Sequence, residues 1–423
     1  MAEGRTKLKI LVVLPMYGGS LPVGRFCVSA LREQGHLVEV FEAPDFYSAF
    51  TAMKSIRVSS SSLEYLENSF LQVVSSAILA KVDFFQPDMV LALAQAPLSR
   101  QALKKLRADN VVSAMWFVED FRIFTYWRAF APYYDIFAVI QKEPFFSELK
   151  AAGVENHLYL PLAADPDFHK PVQPGPVELK KWGSDLSFMG AGYPNRRMAF
   201  KELTGYDFKI WGTEWDGDAA LAPYVQMSGR RVTSEECVKI FNASKINLNL
   251  HSTLDIDHEV KPGDFVNPRT FELASCAAFQ LVDCRELLSE LFSSDELVVF
   301  SSMHELKKKI DCFLGDSQGR HSFASRARER VLKEHTYKHR METLIDFVLE
   351  KTDIAPEKSV NPQFNDLPED LRSEMDALLA RLGLSSNVGF DDMVHYVRQE
   401  MGKLSPLETS ILFLDEWRKQ YKK

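Results

Sequence analysis

The chain is 423 residues long, 46% apolar and 26% charged, with a formal net charge of −8. That length exceeds one ordinary hydrophobic core, so two domains and an appendage are expected, and the composition excludes a disordered or fibrous protein. The acidic balance argues against non-specific nucleic-acid binding, and no segment approaches the run of about 18 apolar residues that spans a bilayer.

The first apolar run, Ile10 to Met16, follows basic residues but carries Pro15 and no small-residue cleavage site. It reads as a buried strand rather than a signal peptide. Strands are predicted at Leu8–Leu14, Leu37–Phe41, Met89–Ala94, Val111–Phe117, Asp135–Ile140 and His157–Pro161. Between them lie helical stretches, Pro22–Gln34, Leu63–Phe85, Ser99–Ala108 and Pro144–Ala152. Runs such as KILVVLP and DMVLALA are apolar on both faces, as parallel strands covered on either side require. Ala164–Gly183 is rich in Pro and charge and reads as a linker.

A second alternation follows, with strands at Asp185–Met189, Phe208–Trp211, Ile246–Leu250, Phe279–Val282 and Leu297–Phe300. Its helices are expected at Arg196–Leu203, Ser234–Asn242, Phe271–Ala277, His304–Leu314 and Arg320–Glu350. Past a second polar linker, Leu371 to Tyr421 shows helical periodicity and no strand signal. The expected organisation is α/β: Rossmann-like domains at 1–165 and 184–350, linkers at 166–183 and 351–368, and a helical appendage at 369–423. The appendage could mediate a homo-oligomer. Five scattered cysteines form no CxxC pair or Cys/His cluster, so no metal site is expected and the thiols should be reduced, as in the cytoplasm.

Open α/β sheets bind ligands beyond the carboxyl ends of their strands, so the turns there carry the chemistry. After the first strand, Gly18 and Gly19 let backbone approach a ligand; the absence of GxGxxG disfavours a nicotinamide enzyme. Glu119 and Asp120, just past a buried strand, could bind an acceptor hydroxyl or act as a general base, or merely charge a helix N-terminus. Gly190, Gly192, Tyr193, Asn195, Arg196 and Arg197 form a glycine-rich basic turn suited to a pyrophosphate. Trp211 and Gly212 could flank a base or sugar, and packing is an equal reading for the tryptophan. In the segment from Asp264 to Asp283, Asn267 reads as an N-cap before Pro268. Glu272 could then accept ribose hydroxyls, with Thr270 on the same helix and Arg269, one turn earlier, reaching a phosphate.

At these residues the sequence resembles the CgeB-like, spore-maturation type glycosyltransferases of the GT-B fold. The resemblance covers most of residues 7–350, carried by Ser187–Arg197, Trp211–Gly212, Asn267–Asp283 and the run from His335 to Arg340. It implies two Rossmann-like domains facing across a cleft. It also implies metal-independent, retaining transfer from a nucleoside-diphosphate sugar, UDP- or GDP-type, to a glycan, lipid-linked or protein acceptor. By that resemblance Glu272 binds the ribose, and Asp264 stands where the wider group usually has Glu. Gly18 and Gly19 would lie beside the transferred sugar, and Arg196, Arg197 and Arg269 would stabilise the leaving diphosphate. A catalytically silent nucleotide-binding protein on the same scaffold and a nucleotide-sugar epimerase are the competing readings.

Overall fold

A computed structural model describes residues 7–253, 257–354, 367–384, 388–399 and 402–421. Two parallel sheets organise them. The first contains β1 (Lys9–Val13), β2 (Leu37–Phe41), β3 (Met89–Leu93), β4 (Val112–Phe117), β5 (Ile136–Val139) and β6 (His157–Tyr159), in the order β2-β1-β3-β4-β5-β6. The second contains β7 (Ser184–Met189), β8 (Phe208–Trp211), β9 (Ser244–Asn249), β10 (Gln280–Asp283) and β11 (Val298–Phe300), in the order β11-β10-β9-β7-β8.

The alternation along the strands explains why the first sheet is covered on both faces. Ile10 and Val12 of β1 join one core with Met89, Leu91 and Leu93 of β3. Their neighbours Leu11 and Val13 point the other way and join Val90 and Ala92. All nine side chains are fully buried, and burying each of the larger ones contributes roughly 1.5–3 kcal/mol. The second sheet is asymmetric. One face packs Leu186, Phe188, Ile210, Ile246, Leu248 and Leu281, whereas Asn247, Asn249 and Gln280 are buried polar residues that must find partners.

The expected α/β class holds, and each predicted strand lies at its place in the two sheets. Two helical readings change. The stretch Ala164–Gly183 contains a helix, Pro176–Trp182, started by Pro at its first turn and by Glu178 accepting the Gly175 N–H at 3.1 Å. Its buried Trp182 packs on Trp211 with ring centroids 5.3 Å apart. The long helix expected over Arg320–Glu350 is instead two, Ser317–Glu334 and Tyr337–Lys351. The break falls where Thr336 caps the second by accepting the His339 N–H at 3.3 Å. The Ala164 N–H donates to the His335 carbonyl at 3.1 Å, and the Tyr337 N–H to the Ala164 carbonyl at the same distance.

That break sends the chain back to the first half. Tyr337, Met341, Leu344, Ile345 and Val348 join the core that contains Ile10 and Val12. Arg340 fastens the crossing by donating to the carbonyls of Pro161 at 2.7 Å and Leu162 at 3.1 Å.

Most of the predicted linker 351–368 lies outside the described residues. The described tail forms helices Glu369–Arg381, Phe390–Gln399 and Pro406–Tyr421 around a small core of its own. It docks on the edge strand β2: His395 and Gln399 each lie 2.8 Å from Glu39 Oε1, and Lys81 lies 2.8 Å from Oε2. Among the described residues no helix is long and apolar enough to cross a membrane.

Candidate active site between the two sheets

The carboxyl ends of the two sheets meet. Arg122 Nη1 donates to Asp264 Oδ2 at 3.0 Å, and Gln141 Nε2 donates to Asp264 Oδ1 at 2.9 Å. Arg231 of the second half donates to the Gly18 carbonyl of the first at 3.1 Å. Lys142 and Glu290 pair at 2.5 Å.

In the second half, the buried polar face of the sheet builds the ligand-facing helix. Asn249 Nδ2 donates to Thr270 Oγ1 at 2.9 Å and to Gln280 Oε1 at 3.0 Å. Asn267 caps the helix Pro268–Ser275 by accepting the Thr270 N–H at 3.1 Å, as its position before Pro268 suggests. The imidazole of His251 donates from Nδ1 to Asp283 at 2.6 Å and accepts the Asn267 N–H on Nε2 at 2.9 Å. Arg285 completes the cluster at 2.6 Å from the other Asp283 oxygen. Burial pushes the His251 imidazole down to about 4, against the pull of Asp283, so it is neutral at physiological pH.

Glu272 rises from this helix half-buried. Its Oε2 pairs with Arg269 Nη1 at 2.5 Å, and its Oε1 lies 3.9 Å from His169 Nε2 on the segment joining the two halves. Burial lowers the affinity of the His169 ring for a proton, partly offset by Glu272. Arg269 stacks over Phe241 at 4.8 Å, and its Nε has no hydrogen-bond partner among the described residues. Burial works against its charge, but Glu272, Cys237 and Cys276 together outweigh it and raise its pKa.

The glycine-rich basic turn is reassigned in part. Arg197 is committed to backbone carbonyls: Nε donates to that of Gly192 at 2.8 Å, Nη1 to that of Asp216 at 3.0 Å, and Nη2 to that of Glu214. Asn195 pins the following loop, donating to the His251 carbonyl at 2.9 Å and accepting the Thr253 N–H at 3.1 Å. The glycines serve backbone contact. A side chain at Gly192 would stand 2.1 Å from the Glu214 oxygen, and one at Gly212, where φ is +120°, would stand 2.5 Å from the Gly190 oxygen. Trp211 is core, packed with Trp182 and Ile240. Thr270 is fully buried in the polar network rather than open to a ligand. Arg196 is buried as well, bonded to the carbonyls of Leu250 at 3.0 Å and Ala191 at 3.0 Å and lying over Tyr193 at 5.4 Å. Its Nη2 has no hydrogen-bond partner among the described residues, and burial pushes its pKa down to about 10, which leaves it charged.

In the first half, Glu119 and Asp120 part company. Asp120 belongs to the bridge, 3.3 Å from Gln141 Nε2 and 3.8 Å from Arg122. Glu119 sits in a closed triangle. Gln95 Nε2 donates to one carboxylate oxygen, and the Tyr126 hydroxyl donates to the other at 2.7 Å. Tyr126 also accepts the Gln95 N–H at 2.9 Å, which holds Gln95 at φ 66°, a left-handed geometry costly for a non-glycine residue. Burial raises the Glu119 carboxyl above its ordinary value, with Tyr126 and Gln95 pulling the other way. Gly18 lies beside this triangle, and a side chain on Gly19 would meet open space among the described residues.

The fold and the sequence comparisons agree on a class. Residues 196–346 match the sequence profile of a family described as glycosyl transferase-like. Sucrose-phosphate synthase of Thermosynechococcus elongatus superposes with a TM-score of 0.55 at 12% identity, covering 81% of this chain and 99% of its own. HepE of Anabaena, solved with UDP-glucose, gives 0.54 at 11% identity over 81% of this chain and 100% of its own. The chain therefore has the GT-B fold and is similar to glycosyltransferases over its second half. It also resembles spore protein CgeB of Bacillus subtilis (strain 168), which is 24% identical over 272 residues that span 61% of this chain and 82% of that one.

Proposed function

We propose that the cleft transfers a sugar from a nucleoside diphosphate to an acceptor hydroxyl with retention of configuration and without a metal ion. The observation that carries this reading is Glu272, a half-buried carboxylate one helical turn beyond the Asn267 cap and pre-positioned by Arg269. A carboxylate so held accepts both ribose hydroxyls. Arg196, whose outer nitrogen is uncommitted within the protein, and Arg269 supply positive charge for the diphosphate as the bond from the anomeric carbon breaks and its electron pair stays on the leaving oxygen. The transferred sugar then lies between Gly18–Gly19 and Asp264, whose carboxylate the Gln141 and Arg122 donors orient. We assign Glu119 to the acceptor hydroxyl, whose oxygen bonds the anomeric carbon as its proton leaves. Burial raises the Glu119 pKa, which makes this carboxylate a better proton acceptor than an ordinary glutamate. The bridges between the halves exclude water, which limits hydrolysis of the donor. That HepE was solved with UDP-glucose makes uridine the first base to try.

Thermal unfolding with UDP, GDP, ADP and their glucose conjugates, in chelator, tests the reading. Stabilisation by one base family, greater for the sugar conjugate, supports it. No shift with any of the six overturns it.

A further inference from the structure

Two tyrosines stand out to solvent where the chain leaves β1 and β2. Tyr17 is 47% exposed and Tyr47 is 38% exposed. Their ring centroids lie 4.9 Å apart with planes tilted by 35°, and neither hydroxyl has a hydrogen-bond partner among the described residues. An exposed aromatic pair leaves apolar ring faces in water, where they gain by being covered.

The position of the pair is specific. β1 and β2 are parallel neighbours, so both tyrosines follow carboxyl ends on the same edge of the sheet, the edge where ligands bind in open α/β folds. The next residue after Tyr17 is Gly18, where a side chain would stand 3.6 Å from Gln95 Oε1. Gln95 in turn donates to Glu119. One glycine and one amide side chain thus connect the ring pair to the carboxylate assigned to the acceptor hydroxyl. Arg231, bonded to the Gly18 carbonyl from the second half, puts the pair at the lip of the cleft.

A pyranose ring fits both features. It presents a face of C–H groups that covers an aromatic ring, while its hydroxyls radiate from the edge toward polar partners. A Ser or Thr side chain offers no such flat apolar face beside its hydroxyl. We propose that Tyr17 and Tyr47 form an acceptor subsite that stacks a sugar ring, so that the acceptor is a saccharide whose reacting hydroxyl points toward Glu119. This rests on the transferase reading of the cleft.

The test is a glycan array probed with the labelled full-length protein in the presence of UDP. Tyr17→Ala and Tyr47→Ala should each weaken capture of the bound saccharide by about tenfold, the loss expected for one stacking contact. Tyr17→Phe should retain capture, because the ring face and not the hydroxyl makes the contact. Tyr65→Ala, an exposed ring on the helix Ser60–Phe85, serves as control and should bind like the wild type. Saccharide capture unchanged in both alanine variants overturns the proposal, as does a wild type that captures no saccharide. Calorimetry with the nucleoside diphosphates on the same samples then shows whether the transferase reading falls with it or stands alone.

Discussion

His251 accepts the backbone N–H of Asn267 at 2.9 Å while its other nitrogen is held by the fully buried Asp283. Asp283, the last residue of β10, thereby fixes the tautomer and orientation of a ring that holds the N-terminus of the helix carrying Glu272. The arrangement requires a neutral imidazole, because a protonated Nε2 could not accept the Asn267 N–H.

The first prediction follows from the sign of that shift. The folded-state pKa of His251, about 4, lies below its ordinary value of 6.5, so the unfolded chain binds the extra proton first. The contribution is complete above pH 6.5 and is lost as pH falls toward 4. Chemical denaturation at pH 7.5 and pH 5 should show a loss on the order of 1–2 kcal/mol attributable to this site. His251→Gln, which does not titrate, should flatten that part of the dependence. An unchanged slope would place the acid sensitivity elsewhere, with His335 the next candidate because burial pushes it to about 4 as well.

Glu119→Gln should lower turnover by roughly 10²–10⁴-fold, the range for loss of a positioned proton acceptor, with little change in melting temperature. In the wild type, burial raises the pKa of the Glu119 carboxyl. The carboxylate form is therefore lost at a higher pH than for an ordinary glutamate, and kcat should fall on acidification with a midpoint above that value. A profile flat down to pH 4.5 would remove Glu119 from the proton-transfer step.

Gly192→Ala should destabilise the second half by roughly 1–3 kcal/mol, the cost of overpacking a site that cannot yield. The added carbon would stand 2.1 Å from the Glu214 backbone oxygen, which Arg197 also grips. Thermal unfolding checks this, and a melting temperature equal to the wild type would show that the two turns can separate at no cost.

Glu39 anchors the tail. Burial pushes its carboxyl up, but His395, Lys81 and Gln399 outweigh that and hold it at about 2. Its contribution is present above the ordinary carboxylate value of 4.5 and fades as pH falls toward 2. Glu39→Ala should therefore release the helices 369–421, seen as faster limited proteolysis of the tail at pH 7.5 with the body intact. Equal cleavage rates would assign the docking to the Lys9–Asp392 pair and apolar contacts instead.

The positions of the strands were legible because nearly every residue of β1 and β3 is apolar, a pattern that a surface strand does not carry. Asn267 and Pro268 likewise announced a helix start, since a cap acts on backbone three residues away. The structural partners of Arg197, Asn195 and Gly192 are not legible in the sequence, for the opposite reason. Their partners are the carbonyls of Glu214, Asp216 and His251 and the backbone of Glu214, and carbonyls look the same in every residue. The roles of His251 and Gln141 were hidden because each joins elements distant in sequence, Asp283 and Asn267 in one case and Asp264 in the other. A histidine directly after a buried strand, with an aspartate closing the neighbouring strand, was the only local sign. Glu119 carries a local sign in its place just past a buried strand, whereas Tyr126 and Gln95, which give it its environment, carry none.

The most direct test of the account is calorimetric titration of UDP, GDP and ADP into the wild type and Glu272→Ala. The account predicts that one nucleotide binds the wild type and that the variant weakens it by about tenfold or more, the scale of a lost charged hydrogen bond, with its melting temperature unchanged. Equal affinity in the two proteins, or binding to neither, would contradict it.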